Sequence, residues 1–186
     1  MATRLFIVGR DYLDLMARCV DQALLALSRN QPYLLTWSAA VKSVQPRDLA
    51  FFFKSGKDLP GLFAAGRVVE AEPVHRLNKY PDCTDYSNAY TCEFHKKNPT
   101  VLIQLSSVAR LDCPFPEERL VASGFDRSKY RSGSEMKDTD AERLKFAWHS
   151  YCHLIGGGGV EQLQKQPAPQ KVLKGFDSLK PGPMNR

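Results

Sequence analysis

No apolar run in this chain approaches the roughly 18 residues a membrane span needs, and the longest near the start is only Leu5-Phe6-Ile7-Val8. Cysteine is sparse and odd in number: Cys19, Cys83, Cys92, Cys113 and Cys152 lack the tight paired spacing of a zinc site or a disulfide framework. There is no Gly-x-Ser-x-Gly elbow and no phosphate loop, since Ser55-Gly56-Lys57-Asp58 lacks the Gly-Lys-Ser/Thr ending. Gly156–Gly159 follows a helical pattern, whereas a dinucleotide loop follows a strand and opens a helix. His149 and His153 stand one helical turn apart without the glutamate of a zinc-protease helix, and Cys92 and His95 lack a second ligand pair. Neither a metal nor a cofactor is expected, and the same absences argue against an enzyme. The thiols and the lack of a leader-like segment point to a reducing, cytoplasmic setting with no membrane partner.

What is present is an ordinary globular composition over 186 residues, 43% hydrophobic and 25% charged, enough for one core. The formal charge is +6, half of it carried by the segment Gly156–Arg186. A mildly basic body with a basic tail suits anionic partners in a general way. A single domain is expected over 1–155, followed by a Gly-, Pro- and Lys-rich extension over 156–186.

Hydrophobic periodicity predicts strands at Arg4–Val8, Tyr33–Trp37, Leu49–Lys54, Gly61–Glu70, Ala89–Phe94 and Val101–Val108. It predicts helices at Asp11–Ser28 and Thr139–Ile155, with a short helical turn at Glu117–Leu120. The stretch Glu72–Asn88 is polar and rich in turn formers. Together these predict an α+β fold: a small twisted β-barrel, mostly antiparallel, with flanking helices. Reading a base outside a duplex needs aromatic faces and a few polar groups, and Trp37-Ser38 and Phe51-Phe52-Phe53-Lys54-Ser55 end two strands with that mixture. On pattern alone, core packing is the favoured explanation of those aromatics.

Trp37, Val44-Gln45-Pro46-Arg47-Asp48-Leu49-Ala50-Phe51-Phe52-Phe53-Lys54-Ser55-Gly56 and Gly61-Leu62-Phe63-Ala64-Ala65-Gly66-Arg67-Val68 together resemble the EVE domain, a PUA-like family related to YTH domains. Its pattern is a tryptophan, a V-x-P-G-D-x-V-F-F-x-x-S-G strand and a G-I-x-A-x-G-x-V strand. Arg47 stands where the family has glycine, while the aspartate is kept as Asp48. Weaker likeness runs on to Tyr151 and includes Tyr130-Arg131-Ser132-Gly133-Ser134.

The resemblance implies a PUA-like barrel that flips a modified base into an aromatic pocket, most directly methylated or hydroxymethylated cytosine or methylated adenine in DNA. It implies Trp37, Ser38, Phe53, Lys54, Ser55, Tyr130, Arg131 and Ser132 as pocket residues, with Lys54, Lys57 and Arg131 on flanking phosphates. DNA is favoured over RNA, and a separate nuclease or other effector, as in modification-dependent restriction, is the implied protein partner. Two alternatives belong to other classes. One is an enzyme acting on RNA or a nucleoside through Lys54, Tyr130 or a carboxylate of Glu72–Asn88. The other is an interaction module docking an effector through the basic tail.

Overall fold

The computed structural model describes residues 1–38, 43–72 and 100–154; the side chains of Ser38, Glu72 and Thr100 are not among the described parts. The polar stretch beyond Glu72, the expected strand Ala89–Phe94 and the 156–186 extension lie outside the described residues. In chain order come β1 (Thr3–Val8), a 3-10 turn (Arg10–Tyr12), α1 (Leu13–Ser28), β2 (Tyr33–Ser38), β3 (Leu49–Lys54) and β4 (Gly61–Glu72). They are followed by β5 (Thr100–Val108), β6 (Phe115–Pro116), α2 (Glu117–Ala122), a 3-10 turn (Arg127–Lys129), β7 (Ser134–Glu135) and α3 (Asp138–Leu154). The helix expected from Asp11 begins with the 3-10 turn and becomes α-helical at Leu13. It ends where Asn30 takes a left-handed φ of 54°, a conformation asparagine tolerates better than most side chains.

The strands form one sheet in the order β2-β5-β4-β3-β1-β7, with β6 paired to β4. Every pairing is antiparallel except β1 with β3, so the expected α+β class and mostly antiparallel order are observed. No described strand joins the two ends of this path. The sheet nevertheless curls like a barrel. In a flat sheet, neighbouring strands lie about 4.8 Å apart, so a residue of β2 and one of β3, three strands away, would be separated by about 14 Å. Instead the rings of Trp37 and Phe52 meet edge to face with centroids 6.1 Å apart.

Both faces of the curled sheet are covered, which explains why β3 reads as an almost unbroken apolar run. Phe6, Val8, Ala50 and Phe52 point to the α1 side, where Met16, Val20, Ala23 and Leu24 meet them. Leu5, Phe51, Phe53 and Leu62 point the other way, toward Leu120, Leu144, Trp148 and Tyr151 of α2 and α3. A bulge between Phe52 and Phe53 leaves Phe63 as an extra residue of β4, so Phe63 and Ala64 both join the α1-side core.

Asp48 ties β1 to the turn that leads into β3. Asp48 Oδ1 accepts from the Ala2 N–H at 2.8 Å, and Oδ2 accepts from Arg4 Nε at 2.9 Å and from the Gln45 N–H at 3.1 Å. Both charged side chains are buried. Burial pushes the Asp48 carboxyl up, but its backbone and Arg4 hydrogen bonds outweigh this and hold it below the usual range. Arg47, just before Asp48, has φ 76°, inside the left-handed region.

Candidate nucleic-acid interface

The C-terminal end of β1 is a meeting point. Because β1 and β3 run parallel, Val8 lies beside Lys54 and the two strands finish together. The Ser55 N–H and its Oγ both donate to the Val8 carbonyl, at 3.0 and 2.9 Å. From the other side, Ser132 Oγ accepts from the Ile7 N–H at 3.0 Å and donates to the Ile7 carbonyl at 3.4 Å. The Gly133 N–H donates to the Leu5 carbonyl, and a left-handed φ of 82° at Gly133 lets the chain turn there. The Ser134 hydroxyl closes that turn on Arg131 by accepting from its N–H and donating to its carbonyl. Past Gly9, the 3-10 turn presents Tyr12, whose ring meets Trp37 edge-on with centroids 5.6 Å apart.

Trp37, Lys54, Ser55 and Ser132 are therefore gathered around residues Ile7–Tyr12 from three separate stretches of the sequence. Arg10, Lys57 and Arg131 are exposed on the same segments. Lys54 is buried, and its Nζ donates to the Leu111 carbonyl at 3.0 Å, which braces β3 against the chain leaving β5. That ammonium is held inside rather than presented at the surface, whereas Lys57 and Arg131 are exposed. Nearby Arg110 forms a two-pronged pair with Asp112 at 2.9 and 2.8 Å, which holds the Asp112 carboxyl below its usual range.

The structure does not bring Phe53 and Tyr130 to Trp37. Strands β2 and β3 are not neighbours, and the curl of the sheet delivers Trp37 to Phe52 instead. Side chains alternate along a strand, so Phe53 faces the opposite core, fully buried beneath the Arg127 guanidinium 5.4 Å from its ring centroid. Tyr130 stacks on Phe125 at 5.9 Å and donates from its hydroxyl to Asp140 Oδ2 at 2.5 Å. Burial first, and the Asp140 carboxylate after it, push that hydroxyl up. Trp37 itself is 7% exposed and belongs to the α1-side core. Ser38 ends β2 opposite Thr100, and its side chain lies outside the described residues.

Sequence reasoning missed a cleft of about 460 Å³ between α3 and the opposite face of the sheet, lined by Phe51, Ser106, Ser107, Lys145, Trp148 and His149 among others. Trp148 Nε1 donates to Ser107 Oγ at 2.8 Å, and Ser106 Oγ donates to the Ala65 carbonyl at 3.2 Å. Burial pushes the neighbouring Cys152 thiol up. The paired serines inside an apolar strand were the available signal. They gain meaning only once the β4–β5 register shift beside Ala65 and Gly66 is known.

No family model and no curated protein match the chain. Among solved structures it resembles ASCH from Zymomonas mobilis, with 6% identity, a TM-score of 0.48 and coverage of 78% of this chain and 94% of that one. A hypothetical protein from Leishmania major gives 14% identity, a TM-score of 0.45 and coverage of 81% and 97%. Human THYN1 in complex with 5-methylcytosine-containing DNA gives 16% identity, a TM-score of 0.43 and coverage of 90% and 100%. At these identities and scores, the likenesses carry no chemistry over to this chain.

Proposed function

We propose that this chain is a PUA-like module of the EVE type that binds nucleic acid and reads a modified base, in DNA ahead of RNA, without transforming it. The observation that carries this reading is the convergence at the end of β1. There the hydroxyls of Ser55 and Ser132 bond the last residues of β1, the Tyr12–Trp37 pair stands at the turn that follows, and Arg10, Lys57 and Arg131 are exposed on the same segments. Hydroxyls suit the polar edge of a base, aromatic rings its face, and cations the flanking phosphates. Since Tyr12 covers Trp37 edge-on, a base reaches the indole only when the Tyr12 ring turns aside. Flipping a base costs a few kcal/mol, and stacking returns about 1–3 kcal/mol, so the phosphate contacts supply part of the affinity. A separate effector, such as a nuclease, would act on the bound site.

The test is binding of the full chain to matched oligonucleotides, single- and double-stranded, at two salt concentrations. They would carry cytosine, 5-methylcytosine, 5-hydroxymethylcytosine or N6-methyladenine. A preference of tenfold or more for one modification, about 1.4 kcal/mol, that persists at the higher salt supports a pocket. Equal binding to all, lost as salt rises, refutes it. Conversion of any member of a nucleoside panel would establish an enzyme instead.

A further inference from the structure

We propose that His149 and His153 form a two-imidazole chelate for a divalent transition-metal ion at the mouth of the cleft between α3 and the sheet. The two residues are i and i+4 on α3, both exposed, with ring centroids 4.4 Å apart and Nε2 atoms 3.0 Å apart. Zinc–imidazole bonds of about 2.0–2.1 Å place two bound nitrogens about 3.3 Å apart at the tetrahedral angle and about 2.9 Å at a right angle. The observed separation, an N–H···N hydrogen bond between the two rings, falls between these values, so a metal ion that replaces the shared proton needs little movement of the helix. In an imidazole, χ2 is broad, and a turn of either exposed ring aims both lone pairs at one point. Among the described residues, no third His, Cys, Asp or Glu completes a cluster with them. The remaining coordination positions therefore fall to water or to an anion. His149 also lines the cleft, so those open positions lie beside its Ser106, Ser107 and Lys145 groups.

This site is on the opposite side of the sheet from Trp37 and stands apart from base reading. The chain contains two further histidines and five thiols, so metal binding alone does not locate the site. The full chain, stripped with a chelator and kept reduced, would be titrated with Zn²⁺ against a chromophoric competitor. His149→Asn and His153→Asn would be measured alongside, after their metal-free thermal unfolding is shown to match the parent. The expected result is one ion bound by the parent and at least a tenfold loss of affinity in each variant, because each removes one of two bonds. Nitrogen hyperfine structure from two equivalent imidazoles in the Cu²⁺ form, halved in either variant, provides an independent readout. Equal affinity in parent and variants, loss in only one variant, or no binding by the parent would each overturn the proposal.

Discussion

Replacing Arg47 with glycine should stabilise this protein, although it deletes a long side chain from the surface. Arg47 has φ 76°, where an L side chain costs roughly 1–2 kcal/mol, and glycine pays no such penalty. Glycine gives back about 0.4–1 kcal/mol by enlarging the unfolded ensemble, so the expected net gain is about 0.5–1 kcal/mol. The bonds that fix the turn, including that from the Gln45 N–H to the Asp48 carboxylate, do not use the Arg47 side chain and survive the change. The Arg47 N–H donates to the Val68 carbonyl at 2.7 Å, the Val68 N–H to the Asp48 carbonyl at 2.8 Å, and the Asp48 N–H to the Gln45 carbonyl at 3.2 Å. At this chain length the gain corresponds to a rise of about 1–4 °C in Tm. Arg47→Ala is the control: it removes the same charge and bulk but keeps the Cβ in the left-handed region, so it should leave Tm within a degree of the parent. Thermal unfolding of the three proteins by circular dichroism decides the matter. If the alanine variant gains as much as the glycine variant, side-chain charge rather than backbone conformation is responsible, and the reasoning fails.

Asp48→Asn removes the nearer and more deeply buried of the two carboxylates paired with the buried Arg4 guanidinium, leaving only Glu135 at 3.5 Å. It should cost about 3 kcal/mol in urea unfolding, the lower end for a broken buried pair. Because the folded Asp48 carboxyl sits below its unfolded value of 3.8, its contribution is complete above about pH 5 and is lost as pH falls through the lower folded value. The parent should therefore lose stability over that acid range more steeply than the Asn variant. Tyr130→Phe should cost about 1.5–3 kcal/mol through the lost bond to the Asp140 carboxylate while leaving oligonucleotide affinity unchanged; a large affinity loss would return Tyr130 to the interface. Lys57→Ala and Arg131→Ala should each lower the slope of log affinity against log salt by about 0.9 if each side chain neutralises one phosphate, measured by fluorescence anisotropy. An Ala at Gly66 would drive its Cβ into the Gln104 carbonyl and should destabilise by about 1–3 kcal/mol, with loss of β4–β5 protection in hydrogen exchange.

The helices and most strands were legible because their periodicity is local. Leu49–Lys54 was found to the residue, and the helix expected over Asp11–Ser28 buries Met16, Val20, Ala23 and Leu24 at three- and four-residue spacing. The neighbour order was not legible. Nothing in β2 or β3 announces that β5 and β4 lie between them, or that β1 joins β3 in parallel, since pairing choice is a long-range property. That hidden order sets Phe53 apart from Trp37. Its sequence neighbours Lys54 and Ser55 do reach the end of β1, but alternation within the strand turns the ring into the other core. The motif aspartate was kept and its work is now visible. Asp48 holds the start of β1 and contributes to the site only by fixing where that strand ends.

This arrangement governs how the interface can be tested by mutation. Trp37 supports the core with nearly its whole surface, so truncating it to alanine would cost about 3–5 kcal/mol and confound binding with unfolding. Ser55 and Ser132 fail more gently but are also structural, because each hydrogen-bonds the β1 backbone. The exposed cations Lys57 and Arg131 and the covering ring of Tyr12 can be changed with less damage to that frame. Loss of binding at Lys57 or Arg131, with an unchanged preference among modified bases, would assign them to phosphate. A change in preference on altering Tyr12 would place the base beside Trp37. If Tyr12 substitutions change neither affinity nor preference, the indole is only core, and the base, if one is read, is held elsewhere.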